Sequence, residues 1–514
     1  MTDLGKTQKD YAVFLPAISS FYVKQLVKIL GSDLGNARVP KGFELGNEGL
    51  DFLRDAGNYF RYPYGLYSAG HAQLDLTKTD EAEAMIQDRN RENTVILGDS
   101  GGFQVATGVI KMDWENATDP NDPARIALCE KILRWLEHTA DWSMILDVPS
   151  VATIPPLNER TGLTDFQSAV DITCLNIDYF IRNRVPGATK FMNILSGNDL
   201  RSANIWYDHV TKFSDPKFID EAYGDASRTL EGFAFAGAAK SNMYITLKLL
   251  LRLREDNLLK DKGWIHFLGT GKLNWCVYLT SIQRVLREYD SPGITLSCDA
   301  ASPFISPAMG KVYGHNFFDP KKFGYFMNWA PDSQSLKGSD LPMPFNGPIM
   351  DRLVAGDLCT MEEGDLDKNG NAKGADSTSW DTQSYLYYMA HCVFNHVSAV
   401  QEANRIADIE RHRADVHYSN WILDKKNKNS NEFSPFAPYS LAYFDSFVKE
   451  VLDPNCPNPH ELLDKYKKFL DEISFGQLEA EQVLSSDFFD ESDGNDETLE
   501  EFMDVEEILD NHED

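Results

Sequence analysis

Cysteine is sparse in this chain, with seven in 514 residues at no recurring spacing. That excludes a disulfide framework and points to a reducing, cytoplasmic setting. A long uncharged apolar run is missing, and so is a basic start followed by a short apolar stretch. Neither a membrane span, nor a secretory signal, nor a membrane partner is therefore expected. Between residues 471 and 514 there is no Lys or Arg, only 18 acidic side chains, which supply 18 of the 30 net negative charges. The rest of the chain is only mildly acidic. The composition of the tail suits a disordered, solubilising segment. Within it Leu499, Phe502, Met503, Val505, Ile508 and Leu509 are spaced to line one short amphipathic docking turn.

What the chain has instead is a repeated grammar. Thr94-Val95-Ile96-Leu97 runs through Gly98 into Asp99-Ser100-Gly101-Gly102-Phe103-Gln104, and Ser143-Met144-Ile145-Leu146 runs into Asp147. Residues 190–195 run into Ser196-Gly197-Asn198, and 231–236 into Gly237. Trp264-Ile265-His266-Phe267-Leu268 runs into Gly269-Thr270-Gly271, and 294–298 into Asp299. Each run is short, apolar and without alternation, as in a sheet covered on both faces. Helical patterns occupy 124–138, 168–184, 240–254 and 273–289 between them. Strand, polar punctuation and helix at this spacing predict an α/β chain closing as a (β/α)8 TIM-type barrel, with its site at the strands' C-terminal ends.

The expected barrel covers 1–423, a linker and short helical extension 424–470, and the acidic tail 471–514. Residues 1–80 show only the apolar, aromatic start of a barrel's first units. An aspartate at a strand end also serves as a helix N-cap, and His266, inside an apolar strand, reads as a satisfied core histidine.

Asp99-Ser-Gly-Gly-Phe-Gln, Leu146-Asp147, Gly232-Phe-Ala-Phe-Ala-Gly, Phe267-Leu-Gly-Thr-Gly and Cys298-Asp299-Ala-Ala-Ser occur in this order. Together they resemble the tRNA-guanine transglycosylase superfamily. The resemblance implies exchange of guanine in a polynucleotide for a free 7-deazaguanine base such as preQ0, with no redox or nucleotide cofactor. It makes Asp299 the nucleophile at the sugar C1′ and Asp99 the acid and base serving the departing and entering bases. It makes Asp147 the reader of the base edge, with Gly232 and Phe233 giving backbone contacts and Ser196-Gly197 beside them. Phe103 and Leu268 would sandwich the ring, and Gly269 and Gly271 would leave it room. Two carboxylates suit this chemistry because a covalent ester lets one pocket hold the leaving and entering bases in turn. Retaining glycosidases use the same logic, with carboxyls about 5 Å apart.

The departures from the pattern matter as much. Of the zinc ligands usual in such relatives only Cys359 and His391 remain, Met361 and Gly364 standing at the others, so the insertion at about 351–405 is expected to have lost its metal. Residues 365–376 look like an incomplete EF-hand loop, for which a surface Asn-Gly turn is the simpler account. Ser196 stands where relatives carry a base-reading glutamine. The arginines that grip the anticodon loop in tRNA enzymes are replaced by Ser302 to Lys311. These departures favour the DNA-modifying branch found in phages and bacteria, with the host cytoplasm as the setting for a phage-borne gene. Lys272, Lys311, Arg411, Arg413, Lys425 and Lys426 are the candidate phosphate contacts. The same exchange on tRNA is the alternative, and a catalytically silent nucleic-acid-binding partner subunit the second. Relatives of this kind pair through the zinc region, so a homodimer is an assembly that the resemblance allows.

Overall fold

The structure, a computed structural model, describes residues 2–31, 38–70, 72, 74–318, 323–366, 372–374, 377–423 and 439–475. Eight strands form one parallel sheet: β1 (Val13–Pro16), β2 (Tyr64–Ser68), β3 (Val95–Asp99), β4 (Trp142–Met144), β5 (Lys190–Leu195), β6 (Gly232–Phe235), β7 (Trp264–Phe267) and β8 (Thr295–Ala300). From β2 to β8 each pairs with its sequence neighbour, and β8 returns to pair with β1 through Ser297↔Val13 to Ala300↔Pro16. One bridge, Ala17↔Leu66, joins β1 to β2, so the sheet is a nearly closed, barrel-like ring. Helices flank it, and the mixed α/β architecture is consistent with a TIM-type (β/α)8 barrel.

Helix α1 (Ser20–Gly31) follows β1, and α2 (Pro123–Thr139), α3 (Phe166–Asn183), α4 (Leu200–Val210), α5 (Met243–Glu255) and α6 (Leu273–Tyr289) alternate with the strands from β3 onward. Their starts are set locally. Asp122, Asp165, Asp199 and Asn242 accept hydrogen bonds from the backbone N–H groups of Arg125, Ser168, Ser202 and Ile245, closing the first turns of α2 to α5. Capping is thus done by residues upstream of the helices, which leaves Asp99, Asp147 and Asp299 at the strand ends for other work.

Two strands lay unrecognised in the N-terminal region, β1 and β2. Val13-Phe14-Leu15-Pro16 has four residues, all buried, and its flanks give no period to read. After β8 comes a hairpin of β9 (Lys311–Phe318) and β10 (Phe323–Trp329), then the long α7 (Thr382–Leu423). Arg284 of α6 ties α7 to the N-terminus, bonding Asp408 at 2.8 Å and Asp10 at 2.7 Å. Helices α8 (Tyr439–Val451), α9 (Pro459–Lys465) and α10 (Lys467–Phe475) complete the described chain, with α9 and α10 against α5. The helical extension therefore runs past the boundary expected at residue 471, because Phe469 and Ile473 pack on the core beyond the last lysines. The linker 424–434 and the tail after Phe475 lie outside the described residues. No described helix is long and apolar enough to cross a membrane.

Candidate active site

The strands' C-terminal ends surround a cavity of about 770 Å³. Asp99, Asp147 and Asp299, contributed by three different strand ends, all open into it. Asp99 closes β3, where Gly101 in the left-handed region (φ 76°) turns the chain into the short helix Gly102–Thr107 and aims Phe103 at the same cavity. A side chain at Gly102 would strike Asp147 at 2.7 Å, on both its carbonyl and carboxyl oxygens. This close approach is what the double glycine permits.

Asp99 Oδ2 accepts from the Ser68 hydroxyl at 2.8 Å, and the Gly101 N–H reaches Oδ1 at 3.3 Å. Burial pushes its carboxyl above the usual range, the Asp299 charge adding, against the pull of the two donors. Burial likewise pushes Asp147 up to about 7, with the Asp99 charge next in importance. Asp299 has a different setting. Its Oδ1 accepts from the Gly269 N–H at 2.5 Å and lies 3.1 Å from His266 Nε2. His266 Nδ1 is 2.8 Å from Ser297 Oγ, which also accepts from Trp264 Nε1–H at 2.6 Å. One enclosed site thus holds two carboxyls biased towards the protonated form and one anchored by donors. That is the division of labour acid catalysis beside a nucleophile requires.

Of the other expected residues, Phe103, Ser196, Leu268, Gly269, Gly271 and Lys272 line the cavity. Gly197, Gly232 and Phe233 do not. Gly232 and Phe233 begin β6, at the end away from the opening, and a Cβ on Gly232 would lie 2.5 Å from the Trp264 carbonyl and 3.3 Å from Trp142. Gly232 makes room for the barrel's lower packing, and Phe233 is wholly buried. The residues of that strand end that do reach the cavity are Ala236 and Gly237. Gly197 serves a turn: its φ is 147°, a Cβ there would meet the Ala203 N at 2.4 Å, and its carbonyl accepts from Ala238 N–H at 2.7 Å.

Among the expected phosphate contacts, Lys272 stands exposed at the cavity's edge, whereas Lys311 lies over the Trp329 ring at 5.3 Å, outside the cavity lining. Arg411 and Arg413 belong to α7 with side chains outside the described set, and Lys425 and Lys426 lie outside the described residues. Lys24 and Lys240, not singled out from sequence, supply further cations to the wall. Ser68 was missed because its strand went unread, though Tyr64-Gly-Leu-Tyr-Ser ends in a polar residue as the other runs do. His266 was read as a core histidine. It is fully buried, but its period-two pairing with Ser297 on the neighbouring strand sets it against Asp299.

The zinc-region residues have other partners. Cys359 donates to the Pro331 carbonyl at 3.3 Å, and His391 Nε2 lies 2.9 Å from the Tyr313 carbonyl, with burial pulling this histidine down to about 4. No group of three or more His, Cys, Asp or Glu among the described residues is arranged to hold a metal ion. Much of the 365–376 loop, Asp367 and Asp376 included, lies outside the described residues, while Asp365 takes a hydrogen bond from Lys337 Nζ at 2.9 Å. No protein-family model and no curated protein matches the chain.

Proposed function

We propose that the protein is a base-exchange transglycosylase that replaces guanine in DNA with a 7-deazaguanine. The observation that carries this reading is the convergence in one cavity of Asp99, whose carboxyl burial pushes above the usual range, and a donor-anchored Asp299, beside Phe103 and Leu268. In the first half-reaction the Asp299 carboxylate attacks C1′. The C1′–N9 bond breaks, and the departing purine takes the proton of Asp99. In the second, the ionised Asp99 takes the N9 proton of the entering base. N9 then attacks C1′, and the ester bond to Asp299 breaks. Asp147, facing the same space, supplies the group that reads the base edge, and the cavity is large enough for a purine nucleoside. Lacking N7, the inserted base has lost a protonation site that helps guanine leave, so exchange runs one way. A duplex would have to extrude its guanine, costing a few kcal/mol.

DNA is favoured over tRNA because the segment after Asp299 forms the short helix Ser302–Ala308, without a cation, where tRNA enzymes place arginines. Incubation with guanine-labelled DNA and tRNA, each with a free 7-deazaguanine, tests this. Release from DNA is expected; release from tRNA alone moves the reading to tRNA, and release from neither overturns it. Asp299→Asn should abolish adduct formation and exchange while leaving the melting temperature within a few degrees of the parent. Full turnover in that variant means the nucleophile is another group.

A further inference from the structure

The two oxygens of Asp299 are not equivalent. Both its contacts, His266 Nε2 and the Gly269 N–H, meet Oδ1, and among the described residues no hydrogen bond is made to Oδ2. His266 itself has no exposure and lines no part of the cavity, so it cannot touch a bound nucleoside. Its second ring nitrogen meets Ser297 Oγ, and that oxygen is already an acceptor for the Trp264 indole N–H. An indole N–H only donates. The Ser297 hydroxyl has its own proton to give to His266 Nδ1, and an ionised Asp299 Oδ1 can only accept, so both contacts are satisfied together when the imidazole proton sits on Nε2. The geometry is dictated by register: Trp264 and His266 alternate on β7, Ser297 and Asp299 on β8, and His266 pairs with Ser297 across the two strands.

We infer that His266 is the positioning residue of the nucleophile, held as its Nε2–H tautomer by the Trp264–Ser297 pair so that Asp299 Oδ1 is tied and Oδ2 is the atom that attacks. This rests on the transglycosylase reading for the identity of the attacked carbon. In the step itself the C1′–N9 bonding pair leaves with the base, a pair on Oδ2 forms the C1′–Oδ2 bond, and the purine accepts the proton of Asp99. His266 keeps its proton throughout. Oδ1 becomes the ester carbonyl oxygen, still facing its two donors, so the carboxyl need not turn between attack and release.

Two measurements test the tie. In protein labelled with 15N-histidine, the His266 ring is expected to show a protonated Nε2 and a bare Nδ1, and Ser297→Ala should shift the Nδ1 resonance. A proton on Nδ1 in the parent overturns the inference without reference to any reaction. The rate of covalent adduct formation on a guanine oligonucleotide is then compared across variants. His266→Leu should slow it about 10- to 100-fold, the usual worth of a group that orients a reacting one, with the affinity for free 7-deazaguanine unchanged. His266→Gln, which restores a donor, should recover much of the loss, and Ser297→Ala covers the case in which His266→Leu fails to fold. Parent-like adduct rates in His266→Leu or Ser297→Ala overturn the positioning role. If the parent itself forms no adduct, the transglycosylase reading falls and the attacking role of Oδ2 with it, while the tautomer measurement still decides the tie.

Discussion

Asp147 places a carboxyl with 9% exposure where burial and the Asp99 charge hold its pKa at about 7. Between the ordinary value of 3.8 and that value the unfolded chain has released the proton and the native one retains it. Stability therefore falls as pH rises through this window, by about 1.4 kcal/mol per unit for one such group, and levels off above it. Asp147→Asn removes that slope. Thermal unfolding from pH 4 to 8 should show the variant gaining on the parent up to about pH 7, while its affinity for a free 7-deazaguanine drops. Parallel curves would mean that the Asp147 carboxyl is ionised in the folded protein. Asp99, raised by the same cause, keeps its own slope in both proteins.

At the scale of elements, the site is assembled by close approaches between loops. Gly102→Ala pushes a methyl group against Asp147, whose carbonyl and carboxyl oxygens stand 2.7 Å from the added carbon. The expected cost is about 1–3 kcal/mol, with a lowered melting temperature and weaker base binding in calorimetry; no change in either would mean that the loop yields freely. The C-terminal helices behave differently. Asp464 joins α9 to α5 by accepting from Tyr244 at 2.7 Å and Lys248 at 2.6 Å, yet its side chain is 56% exposed. Solvent screening limits such a pair to under about 1 kcal/mol. Asp464→Ala should leave the melting temperature nearly unchanged while speeding proteolysis around residues 452–458; equal cleavage rates would show that apolar packing alone docks α9. Helices of this molecule were readable where an apolar stripe runs on for several turns, as in α6, expected at 273–289 and found there. Strands β1 and β2 were not, since β1 runs into Ala17 and Ile18 with no acid or glycine to mark its end, and β2 carries Gly65 and two tyrosines in place of an aliphatic run.

On the scale of the whole molecule, negative charge is concentrated at the C-terminal end of the sequence. The 39 residues after Phe475 hold 16 Asp or Glu and no Lys or Arg, about half the net charge of −30, and Phe475 itself lines the cavity. A chain ending at Phe475 should associate faster with single-stranded DNA at low salt, the gain shrinking as ionic strength rises. Stopped-flow fluorescence at two salt concentrations measures this, and identical association rates at low salt would show that the tail's field does not reach the binding surface.

Sequence alone determined the repeating units, because apolar runs, caps and strand-end acids are local features that need no partner to be read. It also picked out Asp99, Asp147 and Asp299, since a carboxylate closing a buried strand is conspicuous in one dimension. Tertiary structure decided which residues along β6 reach the cavity, excluding Gly232 and Phe233 and admitting Ala236 and Gly237 just past its end. It also decided that His266 serves Asp299. Both outcomes depend on register between neighbouring strands, where a shift of one residue turns a side chain to the other face. No single strand carries that information.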